Sequence, residues 1–143
     1  MDGIRFEVPG VPVPQGSKTV FNGRAVDANA KKLKPWRRAV CAAAASAAGD
    51  RVLEGPVVVT AKFVLPRPKG HFGTGRNAGT LRASSPRFPG VKPDLDKLLR
   101  ALLDGVTDSG AWTDDSLVVG VHASKVYADH EQPGVQVMVW VTR

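Results

Sequence analysis

Residues 91–106 read VKPDLDKLLRALLDGV, and whether they form a helix decides how the rest of the chain can be arranged. Leu95, Leu98, Leu99, Leu102, Leu103 and Val106 recur at three- and four-residue steps, which predicts an amphipathic helix over 95–106 with a buried leucine stripe. Pro93 and Asp94 mark its start. Asp is a favoured N-cap, and an acidic residue in the first turn is stabilised by the helix dipole, so Asp94 and Asp96 have a purely structural account. Two residues at that spacing within a regular helix also point about 200° away from each other. A shared role for the two carboxylates therefore requires Asp94 to lie outside the helix, in extended conformation.

The flanking segments alternate between strand and helix patterns. Ile4, Phe6 and Val8 alternate with Arg5 and Glu7 as in a half-buried strand, until Pro9, Pro12 and Pro14 interrupt it. Residues 18–26 carry Asn22-Gly23 between two short β-prone runs, a hairpin signal. A helix follows from about Ala30, with Pro35 tolerable only near a first turn, Trp36, Val40, Ala44 and Ala47 on one face, and Gly49 as its stop. Val57–Leu65 is apolar and β-branched enough for a central strand; Leu117–Tyr127 and Val135–Val141 read as two more, joined by a turn around 129–134. No internal repeat is present. The order predicts an α+β fold, a mostly antiparallel or mixed β-sheet with two helices packed on one face, in a single domain over 1–143.

Composition narrows the function classes. At 143 residues, with 43% hydrophobic and 23% charged, the chain suits one folded domain rather than a disordered tail. No signal-peptide pattern follows Met1 and no apolar run is long enough to span a bilayer, so the expected location is the cytoplasm, with no membrane partner. The lone Cys41 falls in an Ala-rich helical pattern and is expected to be a buried, inert thiol. The net charge of +7 is unevenly spread: residues 1–93 carry 16 Lys/Arg against 5 Asp/Glu, and residues 94–143 carry 4 against 8. A basic surface of this kind suits a polyanion, because each neutralised phosphate releases counterions.

The long connection 66–93, PRPKGHFGTGRNAGTLRASSPRFPGVKP, contains no acidic residue and no convincing periodicity. Loops of this length inside a compact domain are usually functional or disordered. Arg67, Lys69, Arg76, Arg82, Arg87 and Lys92 offer phosphate contacts, and Phe72 and Phe88 offer rings to stack on bases; a solvated, mobile insertion is the plainer reading. Gly73 to Ala78 matches a dinucleotide-binding pattern, but Ser84-Ser85-Pro86 breaks the helix that pattern requires. A mobile loop that orders on a polyanion is the expectation.

A second acidic pair changes the weight of the first. Asp114 and Asp115 precede the strand 117–127, where no capping argument covers them, and four carboxylates drawn together would need a cation. Hard oxygen ligands suit Mg²⁺, which takes one or a few carboxylates plus water and phosphate. Reach is limiting. A helix over 94–106 rises roughly 18 Å, and the segment 107–113 spans at most about 25 Å. Asp115 can return beside Asp94 only with little slack, and otherwise joins a site completed by another subunit.

KPDLDKLLRALLDGV, then WTDD, then an apolar strand ending Ser124-Lys125-Val126-Tyr127, resembles the RusA-type Holliday junction endonucleases of bacteria and their phages. The opening PGVPVPQGSK, residues 9–18, and the loop HFGTGRNAG are also similar to that family. The resemblance implies a homodimer, in a bacterial or phage-infected cell, that binds four-way junction DNA and nicks two opposed strands with Mg²⁺, for which Mn²⁺ would substitute, and with no small-molecule cofactor. It implies Asp94, Asp96 and Asp115 as metal ligands, with Asp114 as their neighbour. Lys18 joins the loop cations as a candidate DNA contact. One departure stands out: four residues after Asp96, where the family pattern has a catalytic lysine, this chain has Arg100. Arginine stabilises charge but does not exchange a proton. Lys97 and Lys125 are the other cations that could take the role. A non-catalytic basic DNA-binding protein is the alternative; a dehalogenase-like DxD phosphatase would need a hydrophobic strand before its first Asp, and Phe88–Pro93 is not one.

Overall fold

A computed structural model describes residues 2–16, 18–21, 24–27 and 30–143, with residues 18–27 described through their backbone. The strands are β1 (Gly3–Pro9), β2 (Lys18–Phe21), β3 (Arg24–Asp27), β4 (Val57–Leu65), β5 (Val118–Tyr127) and β6 (Gly134–Val141), and the helices are α1 (Ala30–Ala48) and α2 (Leu95–Ser109). The main sheet has the order β1-β6-β4-β5, while β2 and β3 form a separate antiparallel pair. The Asn22-Gly23 turn lies outside the described residues.

The expected α+β class is what the chain adopts: a four-stranded mixed sheet with two helices. Strand β6 runs antiparallel to both β1 and β4, whereas β4 and β5 are parallel, with Val59 opposite Val121 and Leu65 opposite Tyr127. The segment after β5 is therefore not a simple hairpin turn. It steps across the end of β4, covering the buried Val64, and is fastened there by Lys62 Nζ to Glu131 at 2.6 Å. That hydrogen bond holds the Glu131 carboxyl below its ordinary range.

Alternation puts Val57, Val59, Ala61 and Phe63 of β4 with Val135, Val137 and Val139 of β6 on one face, where they form a single core with both helices. α1 contributes Leu33, Trp36, Val40, Ala44 and Ala48, so the stripe ends on Ala48 rather than Ala47. Cys41 follows Val40 off that stripe and is half-buried rather than buried. Pro35 lies inside α1, beyond its first turn, where the helix continues without that N–H. Gly49, at φ 61°, ends the helix in the left-handed region.

α2 runs three residues past the expected end at Val106. Ser109 and Thr107 hydroxyls bond back to the Val106 and Leu103 carbonyls, and Gly110, at φ 78°, closes the last turn on the Thr107 carbonyl. Trp112 then folds under the helix, fully buried, its indole N–H donating to Thr107 Oγ1 at 2.7 Å. Among the described residues no helix is long and apolar enough to cross a membrane.

α2 packs tightly on α1 at Gly105, where an added Cβ would lie 2.6 Å from Val40 Cγ1 and 2.9 Å from its Cβ. Alanine is the better helix former by about 1 kcal/mol, but overpacking a filled site costs about 1–3 kcal/mol. The Cβ of Val40 is fixed to its backbone and cannot turn aside, so the clash wins. Gly105→Ala should lower stability by about 1–2 kcal/mol, read as a lower urea midpoint with an unchanged slope.

Candidate active site

The parallel pairing of β4 and β5 sets the geometry of the acidic residues. α2 has to carry the chain back from the end of β4 to the start of β5, so its first turn sits at one end of the sheet and its last turn at the other. Two hydrogen bonds fix the first turn: Lys125 Nζ, near the end of β5, donates to the carbonyls of Val91 at 2.8 Å and Pro93 at 2.9 Å. The backbone N–H of Gln15 donates to the Lys97 carbonyl at 3.0 Å and ties the proline-rich segment 9–16 to the same turn. Gln15 was not among the expected site residues. Its Oε1 is buried with no partner among the described residues, and only its place in the PGVPVPQGSK segment signalled it.

Asp94 stands at the N-cap position with φ −69° and ψ 139°, extended as a shared role with Asp96 requires. Its carbonyl accepts the first helical bond from Leu98, but its side chain makes no capping hydrogen bond. Asp96 occupies the first turn, and both are exposed. Arg100 is exposed one turn on, four residues from Asp96 and so on the same side of the helix. Lys97 is half-buried between them.

The second acidic pair is placed differently from the first, and its two members differ from each other. Asp114 Oδ2 accepts from the Ser116 N–H at 3.3 Å and caps a short 3₁₀ turn over Asp115–Leu117; bonding to Ser116 holds its carboxyl below the usual range. The capping account withheld from this pair thus applies to Asp114, while the one offered for Asp94 does not. Asp115 is exposed in that turn, before β5 begins. The 15 residues of α2 rise about 22 Å, and Val118 to Lys125 spans about 23 Å of strand. Asp115 is therefore on the order of 20 Å from the end of the sheet that holds Asp94 and Asp96. Among the described residues no group of three or more His, Cys, Asp or Glu is placed to hold a metal ion.

The loop 66–93 leads into this site and is tied together by hydrogen bonds of its own. Arg67 is its hub. The Arg67 side chain is only 5% exposed and binds Asp129 through Nε at 2.6 Å and Nη2 at 2.9 Å. Its Nη1 reaches the Pro86 carbonyl at 2.7 Å and His71 Nδ1 at 3.2 Å, and its guanidinium lies 4.2 Å from the centre of the Tyr127 ring. Phe72 is half-buried and bridges to Leu81, and Arg82 Nε bonds the Phe72 carbonyl at 2.8 Å. Lys69, Arg76, Arg82, Arg87 and Lys92 remain exposed, and Arg87 lies over the exposed Phe88 ring at 5.3 Å. Arg67, grouped with them on sequence, is turned inward. The side chain of Lys18 lies outside the described atoms.

The family model described as Endodeoxyribonuclease RusA matches residues 9–140. The chain belongs to the RusA endodeoxyribonuclease family. The matched span takes in the proline-rich segment, the basic loop, both acidic pairs and Lys125. No curated protein matches the chain. As a RusA-type Holliday junction resolvase the protein is an endodeoxyribonuclease, a hydrolase acting on DNA, and its family implies a branched substrate.

The Arg67 hub makes a prediction of its own. Its hydrogen bonds hold the Asp129 carboxyl below the usual carboxylate range. A depressed carboxyl contributes stability above its unfolded pKa of about 4 and loses it as pH falls through the folded value. Arg67→Met should untether the loop backbone, so that trypsin nicks rapidly near neutral pH at the already exposed Lys69, Arg76, Arg82, Arg87 and Lys92. In the wild type the tether should loosen only below about pH 4, checked there with an acid-active protease.

Proposed function

We propose that this RusA-family enzyme resolves four-way DNA junctions by paired nicks, in a metal-dependent hydrolysis centred on Asp94 and Asp96. One observation carries the reading: Lys125 pins the two carbonyls before Asp94, which leaves Asp94 extended and uncapped beside Asp96 at the mouth of an acid-free basic loop. Two carboxylates on a braced turn suit a divalent cation, Mg²⁺ in the first instance with Mn²⁺ as a substitute, and Asp115 is the third ligand of the set. Bound there, such an ion supplies Lewis-acid stabilisation of the phosphate and a more acidic water.

The chain's own residues divide the remaining work. Arg100 keeps its proton and lies on the Asp96 side of α2, where it would stabilise charge developing on the phosphate. Lys125 donates to backbone carbonyls, so its role is to position Asp94 rather than to move a proton. Lys69, Arg76, Arg82, Arg87 and Lys92 would bind the phosphate backbone. Two copies related by a twofold axis would present two such sites to a substrate that is itself nearly twofold, which makes opposed nicks the natural product. Asp115, remote from Asp94 in its own copy, would enter from the second.

The test is cleavage of a labelled four-way junction and of a linear duplex of the same sequence, with Mg²⁺ and with EDTA. Junction-selective, metal-dependent cutting is expected. Asp96→Asn should lose several kcal/mol of transition-state stabilisation, on the order of a thousandfold in rate, while junction binding in EDTA persists. Equal cutting of linear duplex would reduce the protein to a general nuclease, and absence of any metal-dependent cut would end the reading. Junction affinity should also fall steeply with salt, and Arg76→Gln with Arg87→Gln should lower the log–log slope by about 2.

A further inference from the structure

The first turns of α1 carry a block of positive charge that neither the core nor the acidic turn uses. Lys31, Lys32, Lys34, Arg37 and Arg38 are close neighbours in sequence, and residues 28–49 contain no acid. Lys31, Lys34 and Arg38 follow one another at four- and three-residue steps or their reverse, so they share one side of the helix. They are exposed, away from the buried stripe of Leu33, Trp36 and Val40. Among the described residues only Arg37 of the five has an acidic partner, Asp108 of α2 at 2.7 Å. The arrangement works against the helix itself. Like charges at these steps repel, and cations in the first turns oppose the helix dipole, which favours acids there. Among the described residues nothing recovers that cost; a partner of opposite charge would.

We infer that this face of α1 is a second phosphate-binding surface, one that grips a duplex arm of the junction well away from the scissile phosphate. The inference rests on the resolvase reading for its substrate and on the helix for its location. A repeating polyanion suits the face better than a single anion. Its three outward cations are spread along about 10 Å of helix, a length over which duplex DNA presents about six charges. The groove beside them, of about 440 Å³, is lined by Cys41, Ala42 and Ala45, whose side chains are too short to hold a sugar-phosphate backbone off the helix. The one acid lining it, Asp108, is already neutralised by Arg37. Asp108 also sets the distance to the site. It lies in the last turn of α2, so the cations around Arg37 stand on the order of 20 Å from Asp94 and Asp96 at the start of that helix. At about 3.4 Å per step, a duplex that meets both has to run at least about six base pairs. Lys31, Lys34 and Arg38 therefore act on affinity and on the hold over an arm, and leave the hydrolysis itself alone.

The test neutralises the three outward cations and leaves Arg37 with its partner. Lys31→Gln combined with Lys34→Gln and Arg38→Gln should raise the Kd for a four-way junction in EDTA by about tenfold or more, and should lower the log–log salt slope by roughly 3. At saturating junction the metal-dependent cutting rate should match the wild type's. The melting temperature should be no lower, because the substitutions relieve repulsion. Location is read by Lys34→Cys in a Cys41→Ala background, coupled to a photoreactive probe. Illumination of its junction complex should mark nucleotides about six or more base pairs out along an arm. Unchanged affinity and salt slope would overturn the proposal and give the patch to a partner other than DNA. A loss confined to the saturated cutting rate, or adducts only at the branch point, would overturn it as well. Binding and cross-linking are read without metal. A protein that holds junctions through α1 and never cuts them would therefore end the nuclease reading alone, whereas one that cuts normally while the triple variant binds like the wild type would end this inference alone.

Discussion

The parallel pairing of β4 with β5 is the constraint from which the rest of the molecule follows. Adjacent parallel strands cannot be joined by a tight turn, so the chain must travel the length of the sheet before β5 can begin. α2 makes that journey, and its leucine stripe fills one side of the core as it does so. The acidic residues inherit their positions from it. Those before and within the first turn stand at one end of the sheet, and those after the last turn stand at the other.

Cations and acids in this fold divide between building and binding, and their sequence context does not say which is which. Arg67 and Lys125 are consumed by Asp129 and by backbone carbonyls, and together they brace both ends of the basic loop. The exposed lysines and arginines between them keep their charge facing outward. Exposed ion pairs add little stability, but Arg67 is nearly enclosed, carries an aromatic ring against its face and uses all three of its nitrogens. A lysine in its place would lose the fork that grips Asp129.

Periodicity read directly from the sequence located α1, α2 and the strands to within a few residues, because the buried stripes of Leu98, Leu102 and Val106 or of Val57, Val59 and Phe63 are imposed by a single core. The α+β class and the likeness to junction endonucleases were legible for the same reason, the latter through the order of acidic pair, helix, acidic pair and strand. Strand order was not. β6 lies between β1 and β4 through long-range pairing that no local pattern encodes. Capping was misread in both directions: Asp94 has the right residue type at the right position but keeps its carboxylate out of the cap, whereas Asp114 caps a three-residue turn too short to leave a periodic trace. Arg67 was grouped with the phosphate-binding residues because its partner, Asp129, lies far along the chain.

Gly105 bears on how rigidly the acidic turn is held. With Val40 seated against its bare backbone, α2 has no room to slide or roll over α1 without driving a side chain into that contact. The turn carrying Asp94 and Asp96 therefore moves as one body with the core. The spacing of the two carboxylates is thus set by helix packing about three turns away, and whatever meets them has to fit that spacing rather than change it.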